Sequence, residues 1–129
     1  MSLKILVVDD ERDVELLFRQ RFRREIRNGE MTLLFAFSGD EALEVLEHHG
    51  RTDIVLVLSD INMPGMTGIE LLNRIKASPP PVPVCMMTAY ASESYRREAT
   101  ENDCDGYLTK PLDFEELRER IRHFATAAG

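Results

Sequence analysis

Apolar runs and helix-period patterns alternate five times along the chain. Ile5-Leu6-Val7-Val8 predicts a first strand over Lys4 to Val8. From Asp13 to Arg27, Val14, Leu17, Phe18, Phe22 and Ile26 recur on one helical face, which reads as core. Gly29 ends that helix, and Leu33 to Phe37 predicts the second strand. Ser38, with Glu41 three residues on, forms a capping box for a helix whose Ala42, Leu43, Val45 and Leu46 face inward, and Gly50 stops it. Ile54-Val55-Leu56-Val57-Leu58 is the third run; Pro64-Gly65 and Gly68 punctuate the loop after it, and Ile69, Leu72 and Ile75 return to helical spacing. Pro79 to Pro83 breaks that helix before a fourth strand, Val84-Cys85-Met86-Met87. The fourth helix, Glu93 to Thr100, offers mainly Tyr95 and Ala99 for burial and is expected to be the most mobile. Strand five is Tyr107 to Thr109, and Phe114, Leu117, Ile121 and Phe124 mark the last helix.

Alternation of this kind requires crossover connections, hence a parallel sheet with helices on both faces. The central strands lack polar alternation, as burial on both sides demands. Four chemistry-bearing positions then stand just past apolar runs: Asp9-Asp10, Asp60, Thr88 and Lys110. In an open α/β sheet these gather at the carboxyl edge, where ligands bind. Three carboxylates within about 4 to 6 Å repel by several kcal/mol at an effective dielectric near 20, and one lysine leaves two negative charges in excess. One divalent cation removes them; oxygen-only ligands favour Mg2+ or Mn2+ over zinc. The set suits a hard cation beside a phosphorylatable carboxylate. Taken alone, Asp9-Asp10 also fits a simple helix cap.

The 129 residues are 43% hydrophobic and 30% charged, the balance of one domain with one core. No stretch approaches the roughly 20 apolar residues of a membrane span, and the expected location is cytoplasmic, with no membrane partner. A net charge of -7 argues against nucleic-acid binding by this domain. Cys85 and Cys104 read as reduced thiols, since no Cys-x-x-Cys or Cys/His cluster accompanies them. Pro79-Pro80-Pro81 reads as a stiff connector.

The motifs Asp9-Asp10-Glu11, Asp60-Ile61-Asn62-Met63-Pro64-Gly65-Met66-Thr67-Gly68, Met87-Thr88-Ala89 and Tyr107-Leu108-Thr109-Lys110-Pro111 occur in this order. Together they resemble the receiver domain of two-component response regulators, from Lys4 to about Phe124. The resemblance implies a flavodoxin-like (βα)5 three-layer α/β sandwich with a parallel five-stranded sheet of order 2-1-3-4-5. It implies that Asp60 accepts a phosphoryl group from a histidine kinase or phosphotransfer protein, so that the chain catalyses only its own phosphorylation and dephosphorylation. Asp10, Asp60 and the backbone carbonyl of Asn62 would ligate Mg2+ directly and Asp9 through water. Lys110 and the Thr88 hydroxyl would bind phosphoryl oxygens, beside the space left by Ala89. The Lys110-Pro111 peptide is expected cis. Thr88 and Tyr107 would form a switch that alters the face of helix four, strand five and helix five, the expected output surface. A downstream effector domain or protein and a phosphorylation-dependent homodimer remain open as partners.

One departure from the family pattern is Asp103-Cys104-Asp105-Gly106, where a turn normally served by glycine must use Asp103 or Asn102. Another feature is the arginine-rich first helix, Arg19, Arg21, Arg23, Arg24 and Arg27, read as a solvated face paired with Glu15 and Glu25 in preference to a docking surface for an acidic partner. Two other classes stay in view. A haloacid-dehalogenase-like aspartyl-phosphate phosphatase needs a second Asp two residues past the nucleophile, where this chain has Asn62. A flavin carrier needs a phosphate-cradling first loop, which Asp9-Asp10-Glu11 would repel. Residues 125–129 read as a tail or the start of a linker, and the chain as one domain, either complete or part of a longer regulator.

Overall fold

The apolar runs become strands. A computed structural model of the chain describes residues 2–89 and 93–128. Among these, β1 (Leu3–Val8), β2 (Met31–Ala36), β3 (Ile54–Asp60), β4 (Val84–Thr88) and β5 (Gly106–Thr109) form one parallel sheet of order β2-β1-β3-β4-β5. The expected flavodoxin-like order is therefore observed. Val8 pairs with Ser59, Asp60 with Met87, and Thr88 with Thr109, so the carboxyl ends of four strands finish near one level.

The helices are α1 (Asp13–Arg21), α2 (Arg23–Arg27), α3 (Gly39–His49), α4 (Gly68–Ala77), α5 (Glu93–Glu101) and α6 (Phe114–Ala128). They cover the sheet in two layers with separate buried clusters. One holds Ala42, Leu46, Ile69, Leu72, Ile75 and Ala99 from α3, α4 and α5. The other holds Phe18, Phe22, Phe114, Leu117 and Ile121 from α1, α6 and the junction between α1 and α2. The sparsely apolar helix counted fourth in the sequence is α5, and Ala99 is its buried residue. The last helix runs on through Ala128, past the apolar pattern that ends at Phe124; Gly129 lies outside the described residues.

Two expectations for the first helix need correction. The single helix from Asp13 to Arg27 is divided at Phe22, whose ψ of 19° departs from helical geometry. The cause is tertiary: Arg118 of α6 donates from Nη2 to the Arg21 carbonyl at 2.6 Å, and its guanidinium lies 4.9 Å over the Phe22 ring. A side chain inserted at a helix carbonyl is a known source of such bends. Leu17 is also not core: it is 40% exposed, and Leu16 beside it is 72% exposed. The inward stripe narrows to Val14, Phe18, Phe22 and Ile26, with Phe18 and Phe22 filling the space against Phe114, at 5.4 and 5.7 Å between ring centroids.

Two of the five arginines serve the aromatic layer. Arg19 pairs with Glu15 at 3.0 Å, as the helical spacing suggests, and stacks 4.9 Å over Phe35; Arg21 lies 5.1 Å over Phe114. Glu25 pairs across to Arg118 at 2.8 Å instead of with its own helix. Asp103, with φ of 63°, makes the left-handed turn that glycine usually makes. Both cysteines are free thiols, and burial pushes Cys85 up to about 12.

The Glu25 carboxyl yields a pH prediction. Burial is the largest influence and opposes its charge, yet the Arg118 and backbone hydrogen bonds, with the charges of Arg118 and Arg24, together outweigh it and hold the pKa below the ordinary value of 4.5. A depressed carboxyl stabilises the fold above its unfolded pKa, and that stability disappears as pH falls through the folded one. Glu25→Gln should therefore cost about 1 kcal/mol at neutral pH, the scale of one partly buried charged hydrogen bond. Urea midpoints of the two proteins should converge as pH falls below the ordinary glutamate value.

Candidate functional site

The carboxyl edge of the sheet brings together residues far apart in the chain. Asp9 follows β1, is buried, and donates its backbone N–H to the Ala36 carbonyl at 3.1 Å. Its Oδ1 accepts the Glu11 N–H at 3.0 Å, which bends the loop over the sheet edge. Asp60 closes β3 and is also buried; its Oδ1 accepts the Asn62 N–H at 3.1 Å. Lys110 stands past β5, where its N–H donates to the Thr88 carbonyl at 2.8 Å and its peptide to Pro111 is cis. From there its Nζ donates to Asp9 Oδ2 at 2.6 Å and to Asp60 Oδ2 at 3.1 Å. Thr88 ends β4 fully buried. Asp10 is exposed at the rim.

Burial pushes the Asp60 carboxyl above the usual aspartate value, an effect that Lys110 partly offsets and Asp9 adds to. Lys110 responds in the opposite sense: burial disfavours its charge, but Asp9 and Asp60 together raise its pKa. One ammonium therefore serves two carboxylates, with a third beside them. Oxygens of Asp9, Asp10 and Asp60 lie within 4.8 Å of one another. Three hard oxygen donors in that space, against a single positive charge, fit a divalent cation of the magnesium type. The helix-cap alternative for Asp9-Asp10 does not hold: Arg12 occupies the cap position of α1 and no side chain caps it.

Behind Asp60 the backbone is close-packed. A Cβ on Gly68, at the start of α4, would lie 2.1 Å from the Asp60 carbonyl oxygen and 2.8 Å from the Ile61 Cα. The Gly68 N–H donates to the Ile61 carbonyl at 2.9 Å, so α4 begins directly against the strand end. Met66 secures the same loop by seating its sulfur where a Cβ on Gly39 would stand, 2.6 Å away. Tyr107 is half-buried against the α3, α4 and α5 layer, with Arg96 of α5 at 5.8 Å over its ring. Its hydroxyl is buried without a hydrogen-bond partner among the described residues.

Several supporting residues escaped the reading of the sequence. Thr67 caps α4 by accepting the Glu70 N–H at 3.2 Å, a Thr-x-x-Glu signal of the same kind as Ser38 and Glu41. Asp113 caps α6 by accepting the Glu115 and Glu116 N–H groups at 3.0 and 3.2 Å. At Ser38 the expected bond forms with the Glu41 N–H at 3.1 Å. Gly68 punctuates the loop by its sequence, and in the fold it lies against the Asp60 backbone. Gly68→Ala should lower stability by about 3 kcal/mol, since backbone is what the added methyl meets. Denaturant unfolding would measure this loss.

Comparison with known proteins agrees with this geometry. The family model described as "Response regulator receiver domain" matches residues 5–122. Sporulation initiation phosphotransferase F of Bacillus subtilis is 34% identical over 124 residues, 96% of this chain and 94% of that protein. Response regulator MprA of Mycobacterium ulcerans is 35% identical over 95% of this chain, which spans only 50% of that relative's length. Among solved structures, the receiver domain of the Francisella response regulator 1452 superposes with a TM-score of 0.83 at 26% identity, covering 99% of this chain and 100% of that one. These matches set aside the phosphatase and flavin-carrier alternatives. With its sheet order and its acidic edge bridged by Lys110, the chain belongs to the response regulator receiver domain family.

Proposed function

We propose that Asp60 is the phosphoacceptor and that residues 4 to 124 act as one receiver module. The observation that carries this reading is the Lys110 ammonium held at 3.1 Å from Asp60 Oδ2 and 2.6 Å from Asp9 Oδ2. That places a cation where a phosphoryl group on Asp60 would develop charge. The Asp60 carboxylate attacks phosphorus, a new O–P bond forms, and the donor's P–N or P–O bond breaks with its electron pair leaving on the donor. Lys110 then pairs with one phosphoryl oxygen and the Thr88 hydroxyl donates to another. Asp10, Asp60 and the Asn62 carbonyl would hold Mg2+ or Mn2+ directly, with Asp9 acting through water. When bound, the ion supplies charge neutralisation for the incoming phosphoryl oxygens.

The donor is a histidine kinase or a histidine-bearing phosphotransfer protein. Support comes from the name of the Bacillus relative, a phosphotransferase, and from the surface beside the site. An apolar groove lined by Val14, Leu17, Pro111 and Leu112 reaches Lys110. Leu17 in that lining is exposed, as is Leu16 next to it in the chain, which suits a docking partner delivering its phosphohistidine to Asp60. Thr88 and Tyr107 act as the switch, passing the state of Asp60 to the face made by α5, β5 and α6. A downstream effector or a second copy of the chain would read that face. No helix among the described residues is long and apolar enough to cross a membrane, which suits a cytoplasmic location.

Acetyl phosphate with Mg2+ should add one phosphoryl group, and chelation should prevent it. Borohydride trapping and mass spectrometry should place the label on Asp60, and Asp60→Asn should abolish it; label on another aspartate of the wild-type chain would refute the assignment. Lys110→Ala should label roughly a hundredfold more slowly without losing the reaction. Asp10→Asn should weaken Mg2+ binding by about tenfold or more, measured by titration.

A further inference from the structure

Ser59 is a polar residue in a wholly apolar place. It is 0% exposed, on a strand whose preceding residues are all hydrophobic. In the sheet it pairs with Val8 on one side and Met86 on the other, both buried in the α3, α4 and α5 layer. A hydroxyl buried among such neighbours costs free energy unless it is bonded. Its bond goes to the neighbouring residue: Ser59 Oγ donates to the Asp60 carbonyl oxygen at 3.0 Å. The other end of that peptide is also fixed, since the Ile61 N–H donates to the Met87 carbonyl at 3.0 Å. Both polar groups of the Asp60-Ile61 peptide are thus held, one by β4 and one by Ser59.

The segment this peptide leads into also holds the Asp60 carboxylate. The peptide's orientation carries the chain to Asn62, whose N–H reaches back to Asp60 Oδ1 at 3.1 Å, leaving Oδ2 towards Lys110. We infer that Ser59 is a positioning residue for phosphoryl transfer, its hydroxyl setting the Asp60-Ile61 peptide plane and through it the direction of the accepting carboxylate. The inference rests on Asp60 being the phosphoacceptor. A competing explanation is small size, because α4 packs closely here: a Cβ on Gly68 would lie 2.8 Å from the Met86 Cε. Size alone makes alanine as good as serine at 59; the hydroxyl role does not.

The test compares Ser59→Ala, Ser59→Thr and Ser59→Val with the wild type. Each is phosphorylated by acetyl phosphate at saturating Mg2+, at a temperature where circular dichroism shows it fully folded. Thr and Val have the same shape and differ in the hydroxyl. The expected result is labelling about five- to tenfold slower in Ser59→Ala and Ser59→Val, with Ser59→Thr near the wild-type rate, the scale of one neutral hydrogen bond. Wild-type labelling in Ser59→Ala, or equal rates in the Thr and Val variants, would overturn it. If the added methyl prevents both larger variants from folding, Ser59→Ala against wild type decides. Asp60→Asn is run alongside: label on that variant refutes the phosphoacceptor assignment itself, whereas normal rates in the Ser59 variants with label on Asp60 refute only the role of Ser59.

Discussion

Carboxylates gathered at one edge of a sheet repel one another, and here the Lys110 ammonium holds them. It joins the end of β5 to the ends of β1 and β3, across 101 and 50 residues of sequence. Each of those strands ends in a polar group because each has just left the apolar interior, and parallel connectivity places all the ends on one side. The attraction is strengthened by burial, which also raises the cost of leaving Asp9 or Asp60 without a partner. A single positive charge shared between two acids is a soft compromise, easily redistributed when a further cation or a phosphoryl dianion arrives.

Around that centre the backbone is tied at several points. Gly68 lets α4 begin against the Asp60 carbonyl, Thr67 caps the same helix, and Met66 fixes the intervening loop onto α3. The Thr88 carbonyl accepts the Lys110 N–H, so the residue that ends β4 and the residue that carries the ammonium are tied through the main chain. Electrostatic adjustment can then occur among side-chain oxygens while the loops bearing them stay in register. By contrast, α5 rests on the sheet chiefly through Ala99, with Tyr95 and Tyr107 only partly buried at its margin.

Much of this was legible in the sequence because local and global signals agree. Uninterrupted apolar runs announced strands buried on both sides, and the polar residue after each run announced the site. Ser38 and Asp103 behaved as their side-chain chemistry requires. What could not be read depends on partners distant in sequence. The break at Phe22 comes from Arg118, 97 residues from the carbonyl it binds. Leu17 fits an apolar helical stripe, yet the aromatic rings of Phe18, Phe22 and Phe114 leave it no room inside. Likewise, the pairing of Glu25 with Arg118 competes with several nearer arginines, and periodicity offers no basis for choosing among them. Thr67 and Asp113 were readable in principle, but their local signals stood beside stronger loop and strand-end cues.

The two helical layers bury separate clusters on opposite faces of one sheet. Substitutions confined to different clusters share few neighbours, and their effects on stability should combine almost additively. Such independence has an evolutionary meaning: residues packed within one layer can drift without disturbing the packing of the other, provided the shared strand ends keep their chemistry.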